Sequence, residues 1–310
     1  MVEKISLVVP CYNEEQTIPI LYKTVNKVRP LLRGYQIEYI FVDDGSHDKT
    51  LEKLQQLHKH DPENVHYISF SRNFGKEAAL YAGLQHANGA LVAVMDADLQ
   101  DPPEQLPKML AGILDEGYDV VGTRRADRKG EPALRSFFSI LFYKLMSKIS
   151  DAQMIQGVRD FRLMTRQVVD SILKMNEYNR FSKGIFTWVG FKTKYLEYQN
   201  RDRVAGETSW SFWKLFRYSI EGIINFSDVP LLIASFVGII SFFVAVICMI
   251  FIIIRKLVYG GSVNGWASLV TIILGMGGLQ LFCLGIVGKY IGNIYLEVKK
   301  RPIYIVKEYK

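Results

Sequence analysis

Two uncharged apolar runs near the C-terminus constrain this chain more than any other feature. Pro230–Ile254 runs for about 25 residues without a charge, and Ala267–Gly288 is a second run of similar length. About 20 apolar residues suffice to cross the hydrocarbon core of a bilayer. A buried hairpin in a soluble protein is the alternative. The linker between them is short and carries Arg255, Lys256, Gly260, Gly261 and Asn264. Two spans form a hairpin, which leaves both chain ends on one side. The flanks carry Lys214, Arg217, Lys289, Lys299, Lys300, Arg301, Lys307 and Lys310, against only Arg255 and Lys256 in the linker. By the positive-inside rule the ends lie on the cytoplasmic side of the cell inner (plasma) membrane. Gly275, Gly277, Gly278, Gly285 and Gly288 in the second run would allow close helix packing.

The remaining sequence is of a different character. Of the 310 residues 49% are hydrophobic, yet 22% are charged, because the charges are concentrated outside the two runs. The formal net charge is +7. With membrane segments present, this excess suits lipid headgroups and phosphates; no aromatic-rich nucleic-acid module appears, so nucleic acid is not an expected partner. Cys11, Cys248 and Cys283 have no metal-ligand spacing and form no disulfide framework. They read as small packing residues of a reducing compartment. The N-terminus, with Glu14 and Glu15 close behind a short apolar run, reads as a buried strand and not as a signal peptide.

From residue 5 onward, strand-like runs alternate with helical ones. Strands are expected at 5–9, 37–42, 65–70, 90–95 and 119–122, and helices at 15–28, 50–58, 76–85 and 103–116. This alternation means an α/β fold with a mostly parallel sheet. Ligands of such sheets bind outside the carboxyl ends of the strands. The polar clusters Asn13-Glu14, Asp43-Asp44, Asn73, Asp96-Asp98 and Arg124-Arg125 all fall there. Stretches 133–149 and 210–224 mix aromatic and aliphatic residues with Arg and Lys, a pattern of interfacial amphipathic helices or of core helices with solvated charges.

Asp96-Ala97-Asp98 follows the strand Leu91–Met95 directly. Side chains two apart on an extended segment point the same way, roughly 6–7 Å apart along the chain. Both carboxylates can then reach one hard cation such as Mg²⁺ or Mn²⁺, with the Gln100 amide oxygen nearby. A solvated acidic turn is the plainer alternative. Asp43-Asp44-Gly45-Ser46 also follows a strand, where a carboxylate can accept hydrogen bonds from a base or ribose, or simply build a turn.

The ordered set Pro10-Cys11-Tyr12-Asn13-Glu14, Asp43-Asp44-Gly45-Ser46, Arg72-Asn73-Phe74-Gly75-Lys76 and Asp96-Ala97-Asp98-Leu99-Gln100-Asp101-Pro102-Pro103-Glu104 resembles the family 2 glycosyltransferases. Within them it is similar to the polyprenyl-phosphate glycosyltransferases, which include dolichol-phosphate mannose synthase. The two-span tail and Arg203-Val204-Ala205-Gly206-Glu207-Thr208-Ser209-Trp210 look most like the bacterial bactoprenol glucosyltransferases of O-antigen modification. The resemblance covers essentially the whole chain. It implies a GT-A, Rossmann-like catalytic domain and a membrane enzyme that moves a hexose onto a polyprenyl phosphate such as undecaprenyl phosphate, with inversion. UDP-glucose is the implied donor, with UDP-GlcNAc or GDP-mannose as alternatives, and a homo-tetramer is the implied assembly.

By the same resemblance, Pro10, Tyr12, Glu14, Asp43, Asp44 and Ala97 would hold the nucleotide. Asp96, Asp98 and Gln100 would hold the metal and diphosphate, with Asp98 also counted among the catalytic residues. Arg124, Arg135, Ser139 and Arg203 would bind the acceptor phosphate. Ser209 stands where many relatives carry lysine. Asp160 matches the aspartate often assigned as catalytic base. A phosphate monoester with a second pKa of about 6 is already anionic at neutral pH, so Asp160 is expected to orient an arginine or a substrate group instead. The expected division is a catalytic domain over 1–226, two spans over 227–292 and a basic tail over 293–310. A processive polysaccharide synthase would carry a Gln-x-x-Arg-Trp motif and more spans; a non-catalytic scaffold would not need the acidic set.

Overall fold

The computed structural model describes residues 3–125, 157–199, 220–259 and 265–310. The chain divides into two compact units, one of Met1–Gly222 with Arg301–Lys310 and one of Ile223–Lys300. The first is built on a single sheet of β1 (Lys4–Cys11), β2 (Gln36–Asp43), β3 (Val65–Phe70), β4 (Leu91–Val94), β5 (Val120–Arg125), β6 (Val158–Thr165), β7 (Thr193–Tyr198) and β8 (Val306–Tyr309). Their order across the sheet is β7-β5-β6-β4-β1-β2-β3-β8.

The central strands are parallel: β1 pairs with β2 on one side and β4 on the other, and β2 pairs with β3. Ile5, Leu7, Val8 and Val9 of β1 are all buried, as expected of a strand covered on both faces. One cover is α1 (Thr17–Val28), which buries Ile18, Leu21, Val25 and Val28 at helical spacing. Each such side chain contributes about 1.5–3 kcal/mol relative to leaving it in water. Helices α2 (Thr50–His60) and α4 (Leu106–Leu114) also pack on the sheet, α4 through Leu106, Met109, Leu110 and Ile113. Helix α3 (Lys76–His86) lies so close to β1 and β2 that a Cβ on Gly83 would overlap the Val8 side chain. The chain order reverses between β2 and β4 around β1, so a crevice opens at the carboxyl ends of β1 and β4.

Beyond β4 the sheet is mixed, which the strand–helix alternation alone does not foresee. β6 runs antiparallel between β4 and β5, and β7 is parallel to β5. Helices α5 (Arg166–Leu173) and α6 (Ser182–Trp188) connect β6 to β7. This antiparallel insertion brings residues 158–162 beside the carboxyl end of β4.

The C-terminal tail is more than a basic extension. Its β8 adds antiparallel to the edge of β3, with Ile68 opposite Tyr309 and Ser69 opposite Glu308. The Tyr67 and Lys310 backbones exchange two hydrogen bonds of 3.0 and 3.1 Å. Tyr304 stacks on Phe70 at 4.9 Å, and its hydroxyl donates to Gln85 Oε1 at 2.6 Å.

The second unit is a pair of helices, α7 (Val229–Tyr259) and α8 (Trp266–Lys299). Val229–Arg255 and Leu269–Lys299 are long and apolar enough to cross a membrane. At one end Tyr290 donates to the Ser227 carbonyl at 2.7 Å and Asn293 to Asn225 Oδ1 at 3.1 Å. Added Cβ atoms on Gly275, Gly277, Gly278, Gly285 and Gly288 would meet nothing within 4 Å among the described residues. Those glycines therefore do not serve close packing of α8 on α7.

Deleting residues 303–310 should uncover the β3 edge and remove the Tyr304–Phe70 stack. The midpoint of thermal unfolding should fall by several degrees, at about 2–4 °C per kcal/mol for a unit this size, with more aggregation on heating. An unchanged midpoint in a fluorescence melt would contradict a structural role for this strand.

Candidate active site

The crevice is walled first by the loops after β1 and β2, which are stitched together. Asn13, in the left-handed region at φ 56°, donates its N–H to Ser46 Oγ at 2.9 Å and accepts the His47 N–H on Oδ1 at 2.9 Å. Glu14 N–H donates to Thr50 Oγ1 at 2.7 Å, and Glu14 Oε2 accepts from Thr17 Oγ1 at 2.6 Å. Pro10 is the second-to-last residue of β1, and Tyr12 stays exposed, edge-on to His47 at 6.4 Å.

Asp43 and Asp44 are both buried and both employed within the protein. Asp43 accepts the Ser46 N–H at 3.1 Å and the Ser69 hydroxyl at 2.9 Å. Asp44 Oδ1 accepts the Phe74 N–H at 2.6 Å, and its Oδ2 the Gly75 N–H at 2.9 Å. Burial pushes the Asp44 carboxyl up to about 6, although the Phe74 and Gly75 N–H groups pull the other way. Between these loops Gly45 has φ +66°, and a Cβ there would lie 2.5 Å from the Arg72 carbonyl carbon. The Asp-Asp-Gly-Ser turn thus holds the Arg72–Gly75 loop and thereby fixes where α3 begins.

That start carries the central contact. Lys76, the first residue of α3, places Nζ 2.6 Å from Asp96 Oδ1 and 2.6 Å from Asp160 Oδ2. Asp96 follows β4 and Asp160 lies in β6, so one ammonium joins three elements. Burial alone would lower the Lys76 pKa, but Asp160 and Asp96 outweigh it and raise it well above the usual lysine range. Burial would raise the Asp160 pKa; Lys76, with Lys183 and Arg162 nearby, instead holds it well below the usual carboxylate range. The Lys76 and Asp96 side chains keep 34% and 22% of their surface exposed, so a ligand can reach them.

Around the acidic turn, Asp98 is buried and accepts the Gln100 N–H on Oδ1 at 3.1 Å, while Ala97 is buried beside it. Leu99 is held at φ 56°, a conformation costing a non-glycine residue roughly 1–2 kcal/mol. Gln100 Oε1 accepts from Arg159 at 3.1 Å and Arg125 at 3.4 Å. Asp101, fully buried, accepts from Arg159 Nε at 3.2 Å and from the Tyr198 hydroxyl. Arg124 pairs with Glu197. Arg162 lies over the Phe186 ring at 3.8 Å and donates to the Asp160 carbonyl at 3.2 Å.

Sequence reasoning puts Asp96 and Asp98 at a strand end and singles out Asp160 by resemblance alone, and it assigns no role to Lys76 or Arg159; the structure brings Asp96 and Asp160 together on Lys76. A lysine at the start of a helix opposes the partial positive charge there, which was the available signal that it serves a specific anion. Asp160 is expected to orient an arginine or a substrate group; its ion-pair partner in the structure is Lys76. Gln100 faces the two arginines in this structure. Arg135, Ser139 and Arg203 lie outside the described residues, as do stretch 133–149 and most of 210–224.

Asp96 and Asp98 offer hard oxygen donors, and among the described residues no group of three or more His, Cys, Asp or Glu is placed to hold a metal ion by itself. Such a pair fits a divalent cation shared with phosphate oxygens and water rather than an all-protein cage.

The sequence matches Glycosyl transferase family 2 over residues 6–173. It is 45% identical over 307 residues to a prophage bactoprenol glucosyl transferase homolog of Escherichia coli (strain K12), covering 99% of each chain. It is likewise 45% identical over 308 residues to the SfII prophage-derived bactoprenol glucosyl transferase of Shigella flexneri, covering 98% of each. Among solved structures, glucosyl-3-phosphoglycerate synthase from Mycobacterium tuberculosis aligns with a TM-score of 0.49 and 19% identity, over 72% of this chain and 78% of that one.

Gly45→Ala and Gly117→Ala separate strain from collision. Both glycines have φ +66°, but a Cβ on Gly117 meets nothing within 4 Å. Gly117→Ala should cost about 1–2 kcal/mol from the left-handed backbone alone. Gly45→Ala should cost at least twice as much, because the Arg72–Asn73 backbone must move. Equal losses in thermal unfolding would contradict the close approach of these two loops.

Proposed function

Since the chain belongs to glycosyl transferase family 2, we propose that it transfers glucose from UDP-glucose to undecaprenyl phosphate at the cytoplasmic face of the membrane. The observation that carries this reading is the full-length likeness, hairpin included, to bactoprenol glucosyl transferases. Support also comes from the acidic crevice edge of the first unit and the two helices of membrane-spanning length in the second.

The residues divide the work as follows. Tyr12 offers an exposed ring to the base at the mouth of the stitched loops, and the Asp43–Asp44 turn shapes the floor beneath the ribose. Asp96 and Asp98 would hold Mg²⁺ or Mn²⁺, whose charge would stabilise the departing nucleoside diphosphate. Arg124, at the exposed end of β5, would exchange Glu197 for the acceptor phosphate. An oxygen of that phosphate attacks the anomeric carbon as the bond from that carbon to the UDP oxygen breaks, which inverts the centre. The acceptor phosphate has a second pKa of about 6, so it is anionic at neutral pH and yields no proton to a base. Asp160, paired with Lys76, is held ionised and is a positioning residue on this reading.

Mass spectrometry of lipid products from undecaprenyl phosphate and a panel of UDP-glucose, UDP-GlcNAc and GDP-mannose tests the proposal. A glucosyl lipid from UDP-glucose is expected; a product from another donor alone would redirect the specificity, and no product from any donor would overturn the reading. Changing Asp96 and Asp98 together to Asn should lower turnover at least about a hundred-fold, the scale of losing a charge-stabilising group. Asp160→Asn should reduce turnover at every pH. Recovery of that variant at high pH would return Asp160 to the role of base.

A further inference from the structure

Lys76 stands where a cation is wanted. Its ammonium lies 2.6 Å from Asp96 Oδ1, on the carboxylate that the proposed function gives to a divalent ion. Two cations cannot share that oxygen at close range without strong repulsion in a partly buried site. The same ammonium is tied at 2.6 Å to Asp160 from the neighbouring strand, so it is not a loose surface lysine. We infer that Lys76 is an internal counter-cation that a divalent ion must displace from Asp96, so that the ion binds well only together with the nucleoside diphosphate. This inference rests on the donor and metal reading above.

Counting charge gives the direction. Lys76 sits between Asp96 and Asp160, and Arg159, Arg162 and Lys183 add further positive charge near the same carboxylates. A divalent ion added alone raises a positive charge that these acids already balance. A diphosphate arriving with it restores the balance and gives the ammonium an acceptor in place of Asp96. Lys76 keeps Asp160 throughout, which limits how far it moves. When the diphosphate leaves, the ammonium returns to Asp96 and the ion loses its hold, so nucleotide and ion depart together. Coupling of this kind is reciprocal, since the ion must then strengthen nucleotide binding by the same factor.

Mn²⁺ binding by the full chain in nanodiscs, read as loss of the free-ion paramagnetic resonance signal, tests this without turnover. The wild type is compared with Lys76→Met and Lys76→Gln, each with and without UDP, after correction for Mn²⁺ bound by free UDP. In the wild type, UDP should tighten Mn²⁺ binding at least about tenfold, the ordinary scale of coupled sites. Without UDP, both variants should bind Mn²⁺ about tenfold more tightly than the wild type, and UDP should then add less. Wild type that binds Mn²⁺ with UDP, beside variants no tighter than wild type in its absence, overturns this inference and leaves the donor reading standing. Wild type that binds no Mn²⁺ even with UDP overturns both. Equal wild-type affinity with and without UDP also overturns the inference, and that measurement holds even if circular dichroism finds the variants unfolded.

Discussion

One ammonium between two carboxylates organises the crevice. Lys76 draws Asp96 of the β4 end and Asp160 of β6 to the start of α3. Without a cation between them these acids would repel across a partly buried gap, and β6 also ties to the acidic turn through Arg159, which reaches both Gln100 and Asp101. The Lys76 side chain keeps 34% of its surface exposed, so solvent screens the bridge and losing it costs less than the about 3–5 kcal/mol of a fully buried ion pair. Its position is set from below. Asp44 holds the Phe74 and Gly75 N–H groups, Gly45 lets the two loops touch, and α3 begins where the lysine must stand.

The sheet serves this point of convergence in two ways. Its parallel half supplies the reversal in strand order that opens the crevice, and its antiparallel half brings Asp160 and Arg159 to the same edge. The two arginine layers differ in kind. Arg159 and Arg125 converge on Gln100 and brace the acidic turn, whereas Arg124 pairs outward with Glu197. The far edge is closed by β8, which the chain reaches within a few residues after α8 ends at Lys299. A membrane-length helix is therefore covalently continuous with a strand of the catalytic sheet.

How much of this the sequence discloses depends on what carries each element. Strands β1 to β4 are legible because both faces are covered, so their residues read as unbroken apolar runs. The long helices are legible because each carries an uncharged apolar run of membrane-spanning length. β6 is not, because Arg159, Asp160 and Arg162 interrupt it; Arg162 is nonetheless buried, and the Phe186 ring that it lies over is distant in sequence. β8 is an edge strand with largely exposed side chains, and no alternation marks it. The acidic members of the site are visible at strand ends, but their partner is not. Lys76 shows only as a lysine at the unfavourable positive end of a helix until the fold places two carboxylates against it.

The bridge is tested most directly by a double-mutant cycle on UDP-glucose affinity in the full chain, combining Lys76→Met with Asp160→Asn. If the ammonium and the carboxylate act as one unit, the double variant should lose much less than the two single losses combined, with a coupling of at least about 1 kcal/mol. Simple additivity of the two losses would contradict the account.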